Sequence, residues 1–286
     1  MNIKIHSVHK FGDMAVQYLL EEESRQIGMC MFPAELADRC PVRRETLAGA
    51  PELSHMTMDT SRFRAWVVDP LIHVSLEGDR AGSGWGSGMT MRRSSTTASL
   101  KFKGQETIRH GSAHRVLTTL VTDGGLEFRH TLEWQEGDQG LRVWAEVSNG
   151  GENDVVLHLV TSFDLGHLTP FAVNDAPGRL RVHRFRSYWS SEGRHEVRSM
   201  EDLHLEPSWA GFGMQSERFG QVGSMPVRMW FPFVALEDTG VGVLWGAQLA
   251  WSGSWQMEIS RLHDTVSLSG GLADREMGCW RKRLGP

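Results

Sequence analysis

Leu126-Glu127-Phe128-Arg129-His130-Thr131-Leu132-Glu133-Trp134 alternates in period two, and Leu141-Arg142-Val143-Trp144-Ala145-Glu146-Val147 does so again. Successive side chains of a strand leave opposite faces, so this spacing predicts strands with one face turned inward. Between them lies Glu136-Gly137-Asp138-Gln139-Gly140. Glycine takes positive φ without steric cost, so this stretch reads as the turn of an antiparallel hairpin.

The same pattern extends in both directions. Residues 15–20 and 25–32 read as an opening hairpin pair, and residues 71–76 as a further strand. Residues 155–160 continue the meander after Asn149-Gly150-Gly151, and residues 179–185 and 255–259 alternate again. Helical periodicity is confined to residues 33–40 and 201–209, each long enough for a short turn. Many strands with Gly, Asp and Asn turns predict an all-β chain, a β-sandwich or a barrel, and 286 residues favour one large sandwich. No Pro- or Ser-rich linker divides residues 1–286, which are read as a single domain. Residues 200–229 are weakly periodic and rich in Gly and Ser. A loop of that length implies a task such as lining a site or an interface.

A formal net charge of −5 gives no reason to expect nucleic acid or an anionic membrane as a partner. Arg179, Arg181, Arg184 and Arg186 form the one basic run, and their spacing predicts a solvated strand face. Cys30, Cys40 and Cys279 make no disulfide framework and read as free thiols of a reducing compartment. The start, Met1-Asn2-Ile3-Lys4-Ile5-His6, lacks the apolar run of a signal peptide, and the expectation is a cytoplasmic protein.

Little of the sequence suggests chemistry. Gly82-Ser83-Gly84-Trp85-Gly86-Ser87-Gly88 lacks the spacing of a dinucleotide fingerprint or a P-loop, and reads as a flexible connection before a strand over residues 97–103. Trp85, at its tip, is placed to meet a sugar or a neighbouring surface. His110 and His114 flank a turn with no acidic partner of zincin type. His73, His130 and His158 lie within strands, as hydrogen-bonded structural histidines. No metal and no cofactor are expected. No nucleophile elbow or catalytic cysteine signature is present.

The tryptophans, 11 against 2 tyrosines, concentrate between Trp230 and Trp280. Their default place is the core between sheets, although indoles also stack on sugars. Phe231-Pro232-Phe233-Val234-Ala235-Leu236 resembles the Asn-Pro-Phe-Ile/Val-Ala-Leu segment of glycoside hydrolase family 36, the bacterial α-galactosidases. Trp245-Gly246-Ala247-Gln248-Leu249-Ala250-Trp251-Ser252-Gly253-Ser254 is similar to the segment that follows in that family. Val147-Ser148-Asn149-Gly150-Gly151-Glu152, with Phe163-Asp164 beyond it, is similar to its N-terminal meander.

The resemblance implies a β-supersandwich of galactose-mutarotase type, with two large, mainly antiparallel sheets. It implies that the nucleophile and general acid lie in a (β/α)8 barrel expected after residue 286 of the same polypeptide, so that no residue of this chain is catalytic. The substrate implied is an α-galactoside or an α-N-acetylgalactosaminide, and a homo-oligomer is possible in such a family. The family's substrate-binding aromatic-Gly-x-x-Asp-Phe-Arg segment is matched by Asp59-Thr60-Ser61-Arg62-Phe63-Arg64 only in Phe63 and Arg64. Arg62 stands where the aspartate is expected, and an arginine cannot accept a hydrogen bond from a sugar hydroxyl. Asp59, Arg64 and Trp85 are therefore the substrate-binding candidates, and the loop over residues 200–229 and the loop at Trp85 are the interface candidates. The alternatives are a free-standing sugar-binding module and a mutarotase-like isomerase. The isomerase needs a histidine and a carboxylate converging in the cleft.

Overall fold

A computed structural model describes residues 3–39, 68–80, 92, 94–168, 171, 176–190, 192–205, 214–223, 229–262, 265–274 and 280–286. Asp59, Arg64, Trp85, Cys40 and Cys279 lie outside the described residues.

The chain is all-β, and every strand pairing among the described residues is antiparallel. Strands β1 (Ile3–Phe11), β2 (Met14–Glu21) and β3 (Ile27–Pro33) form a three-stranded meander. A 3-10 turn over Ala34–Arg39 follows, where the sequence indicated a short helical stretch. After β4 (Val74–Leu76) comes helix α1 (Ser95–Ser99), capped by the Ser94 hydroxyl, which accepts from Thr97 N–H at 3.0 Å. Strands β5 (Lys101–His110), β6 (Ala113–Val121), β7 (Leu126–Gln135) and β8 (Arg142–Asn149) make a four-stranded meander. His110 and His114 sit at its first hairpin, as their spacing implied.

The other sheets join distant parts of the chain. Strand β9 is Val155–Leu168, β10 is Leu180–Ser187, β11 is Arg194–Ser199 and β12 is Met214–Gln221. Beyond them lie β13 (Met229–Trp230), β14 (Phe233–Asp238) and β15 (Val243–Gln248). Strands β16 (Trp255–Leu262), β17 (Thr265–Ala273) and β18 (Lys282–Leu284) close the chain. One sheet runs β11-β10-β14-β15 with β13 beside β10, and the other runs β12-β16-β17-β9-β18 with β4 beside β9.

One apolar cluster joins these sheets. Phe11 and Tyr18 meet it from the first sheet, Val116, Phe128 and Leu132 from the second, Val182 and Leu236 from the third, and Trp255, Met257 and Leu268 from the fourth. Burial of such side chains stabilises by about 1.5–3 kcal/mol each before chain entropy is charged against it. Trp230, Trp245 and Trp255 are buried, so this part of the tryptophan block fills core, and Trp245 Nε1 donates to Met31 O at 2.6 Å.

Several expectations need correction. β1 precedes the expected opening pair. Of residues 71–76 only Val74–Leu76 is strand, while Leu71 and Ile72 are buried in irregular chain. The strand expected over residues 97–103 begins as helix, because Ser94 caps the turn. Residues 200–229 are not one loop, since β12 lies within them. Arg184 is buried rather than solvated. Its guanidinium lies 4.4 Å from the Trp230 ring centroid and 5.3 Å from that of Phe219. It donates to Glu196 on β11 and to Glu217 on β12, so it pins one large sheet to the other.

Candidate functional site

Among the described residues, chemistry-bearing side chains converge most closely on one face of the six-stranded sheet. Trp255, Met257 and Ile259 of β16 face the core, so alternation sends Gln256, Glu258 and Ser260 to the other side. Register aligns Glu258 with Ser269, Ser260 with Ser267, and Ser269 with Asp164. This polar face is buried as well: Gln256, Glu258, Ser260, Ser267, Ser269 and Asp164 are all shielded from solvent.

Residues from the chain before and after β4 help to cover it. Arg92 Nη2 donates to Asp69 and, at 3.0 Å, to Asp164 Oδ2, while Arg92 Nη1 reaches Ser269 Oγ at 3.2 Å. Ser267 Oγ donates to the other Asp69 oxygen. His73 Nε2 faces Asp164 Oδ2, and His73 N–H donates to Thr161 Oγ1 at 2.8 Å. The backbone leaves room for this arrangement only through glycines. A Cβ on Gly28 would lie 1.9 Å from Asp69 O, and one on Gly166 would lie 2.6 Å from Asp69 Cβ.

Burial alone would lower the pKa of Arg92. Asp164, Asp69 and Glu258 outweigh it and hold the guanidinium above its ordinary range, so Arg92 is a permanent cation. His130 is a different case. It faces inward from β7 between Phe128 and Leu132, and burial pushes its pKa down to about 3. Neither of its ring nitrogens has a hydrogen-bond partner among the described residues. The expectation of three hydrogen-bonded structural histidines therefore holds for His73 and fails for His130, which sits on the apolar side of its strand. His158 Nε2 is likewise without a partner among the described residues.

A histidine and a carboxylate thus do converge, as an isomerase needs. The His73 side chain is 0% exposed and that of Asp164 is 1% exposed, so no sugar reaches them. The network is built to hold chain segments together. Sequence reasoning missed Asp69, Arg92 and Asp164, and the usable signal was the polar alternation of β16 and β17, which reads equally well as a solvent face.

No protein-family model matches the chain, and no curated protein matches it. Solved structures do. The α-galactosidase AgaA of Geobacillus stearothermophilus, solved also with raffinose, superposes with a TM-score of 0.63 at 16% identity, over 98% of this chain and 38% of its own. The chain shares its fold with family 36 α-galactosidases. The galactosidase domain of the α-galactosidase–sucrose kinase AgaSK matches with a TM-score of 0.62 at 14% identity, over 97% of this chain and 38% of its own. The Lactobacillus brevis α-galactosidase gives 0.58 and 13%, over 98% and 37%. The chain therefore spans under two-fifths of the length of these α-galactosidases. No described helix is long and apolar enough to cross a membrane.

Proposed function

We propose that residues 1–286 are the non-catalytic N-terminal domain of an α-galactosidase-like glycoside hydrolase. In this reading the strands form a β-supersandwich that packs on a catalytic (β/α)8 barrel of the same polypeptide. The observation that carries it is the coverage, 98% of this chain against 38% of the solved α-galactosidase.

The parent enzyme hydrolyses terminal α-galactosides or α-N-acetylgalactosaminides in the cytoplasm, without metal or cofactor. Asp59, Arg64 and Trp85 border its substrate cleft. Asp69 and Arg92 are themselves bonded to Asp164, Ser267 and Ser269 of the six-stranded sheet. The loops within residues 200–229 and around Trp85 meet the barrel or a second subunit.

The test is an assay of the 286-residue chain, alone and joined to whatever the gene encodes after codon 286, on a chromogenic α-galactoside. The expected result is turnover only by the joined protein. Turnover by the isolated chain overturns the reading, as does a gene with no barrel after codon 286.

A further inference from the structure

We propose that the end of the five-stranded sheet carrying Tyr188, Trp189 and Trp251 is a carbohydrate-binding platform. Tyr188, Trp189 and Trp251 are the exposed aromatics among the large exposed hydrophobics of the described residues, and Trp189 is 92% exposed. They come from different loops. Tyr188 and Trp189 follow β10 in its hairpin to β11, whereas Trp251 follows β15.

The topology brings these loops to one end of the sheet. β10 runs antiparallel to β14, and β14 to β15, so the end of β10, the start of β14 and the end of β15 coincide. Backbone hydrogen bonds fix them there: Gly193 N–H to Arg186 O at 2.9 Å, Phe231 N–H to Phe185 O at 2.9 Å, and Leu249 N–H to Pro232 O at 2.9 Å. Beneath them, Phe185 stacks on His195 at 4.9 Å between centroids and leans on Phe233 at 5.4 Å.

The Trp251 ring is also held in place. A Cβ on Gly253 would lie 2.8 Å from Trp251 Nε1 and 3.3 Å from Cε2, so the indole lies against backbone while the residue stays 47% exposed. A ring backed by main chain loses little freedom when a ligand covers it. The negative π face of an indole attracts polarised C–H groups, which one face of a pyranose presents. Exposed His195, Gln248 and Ser252 supply donors and acceptors for hydroxyls at the same end. The exposed aliphatics lie elsewhere: Ile5 and Val8 on β1, Ile108 on β5, Val197 further along β11, and Leu244 toward the opposite end of β15. Rings with hydroxyl, amide and imidazole groups beside them, and no large exposed aliphatic side chain among the described residues of these loops, fit a sugar better than the apolar centre of a protein interface. This platform does not depend on the barrel or on Asp59, Arg64 and Trp85.

The test is affinity electrophoresis of the 286-residue chain through galactomannan and, separately, soluble starch, with raffinose titrations read by tryptophan fluorescence. The expected result is retardation or quenching with at least one of these probes. Trp189→Ala and Trp251→Ala are each expected to weaken binding about tenfold, the scale of losing one buried contact. Gly253→Ala, which displaces the indole, weakens it in the same direction, and Val8→Ser on β1 leaves it unchanged. Failure of the chain to bind any probe overturns the proposal, as does binding that Trp189→Ala and Trp251→Ala leave intact. Size-exclusion chromatography showing a dimer that Trp189→Ala dissociates also overturns it, by assigning the patch to a subunit contact.

Discussion

Arg92 and His130 show how charge is handled inside this all-β chain. Arg92 is the cation between Asp69 and Asp164, and removing one partner of a buried ionic set leaves the others uncompensated. Arg92→Met is therefore expected to cost about 3–5 kcal/mol, read as a lower urea midpoint with an unchanged slope. A loss well below 1 kcal/mol would mean that water reaches the two carboxylates. His130 instead stays neutral. Above pH 6.5, its ordinary pKa, neither folded nor unfolded chain protonates it. Below that value the unfolded chain takes up a proton that the fold does not accept until about pH 3. Stability contributed by the neutral ring is thus present above pH 6.5 and declines as pH falls, by about 1.4 kcal/mol per unit within that window. His130→Leu should flatten the fall in melting temperature between pH 7 and pH 5, and an equal fall in both proteins would place the acid sensitivity elsewhere. At this scale the sequence showed a histidine within a strand, but not which way it faced.

Close packing between strands makes glycine the deciding residue in some elements and immaterial in others. At Gly271 in β17, a Cβ would lie 2.2 Å from Val160 O and 2.4 Å from Thr161 Cα of β9, next to a shift in register. Backbone cannot step aside as a side chain end can, so Gly271→Ala is expected to destabilise by about 2 kcal/mol or more. Gly104 of β5 also adjoins a register shift, yet a Cβ there meets nothing within 4 Å. Gly104→Ala should stay within about 0.5 kcal/mol of the parent. Paired thermal melts check both, and equal effects would contradict the packing described. Elements with strong alternation and a local turn, such as the β7–β8 hairpin, were legible in the sequence. β12 was not, because Met214-Gln215-Ser216-Glu217-Arg218-Phe219-Gly220-Gln221 has little apolar alternation and gains its strand through pairing with β16.

For the whole molecule, the sheets share one apolar cluster, so they are expected to melt together. Far-ultraviolet circular dichroism and tryptophan emission should give coincident unfolding curves for the chain, and two separated transitions would show two units where one domain is proposed. The likeness to α-galactosidases also belongs to this scale, since 16% identity leaves no matching family model while the fold superposes over 98% of the chain. Period-two alternation, turn glycines and the bulk of the tryptophans determined an antiparallel all-β chain with an aromatic core, because those signals act between near neighbours. The tertiary structure decided what covers each face. Glu258, Ser269 and Asp164 carry the polarity of a solvent face, yet they are buried because Asp69, His73 and Arg92 arrive from distant chain to pair with that face. It also decided which tryptophans remain outside: Trp255 and Trp251 belong to one sequence block, but the register of β16 turns the first into the core and the loop after β15 leaves the second at the surface.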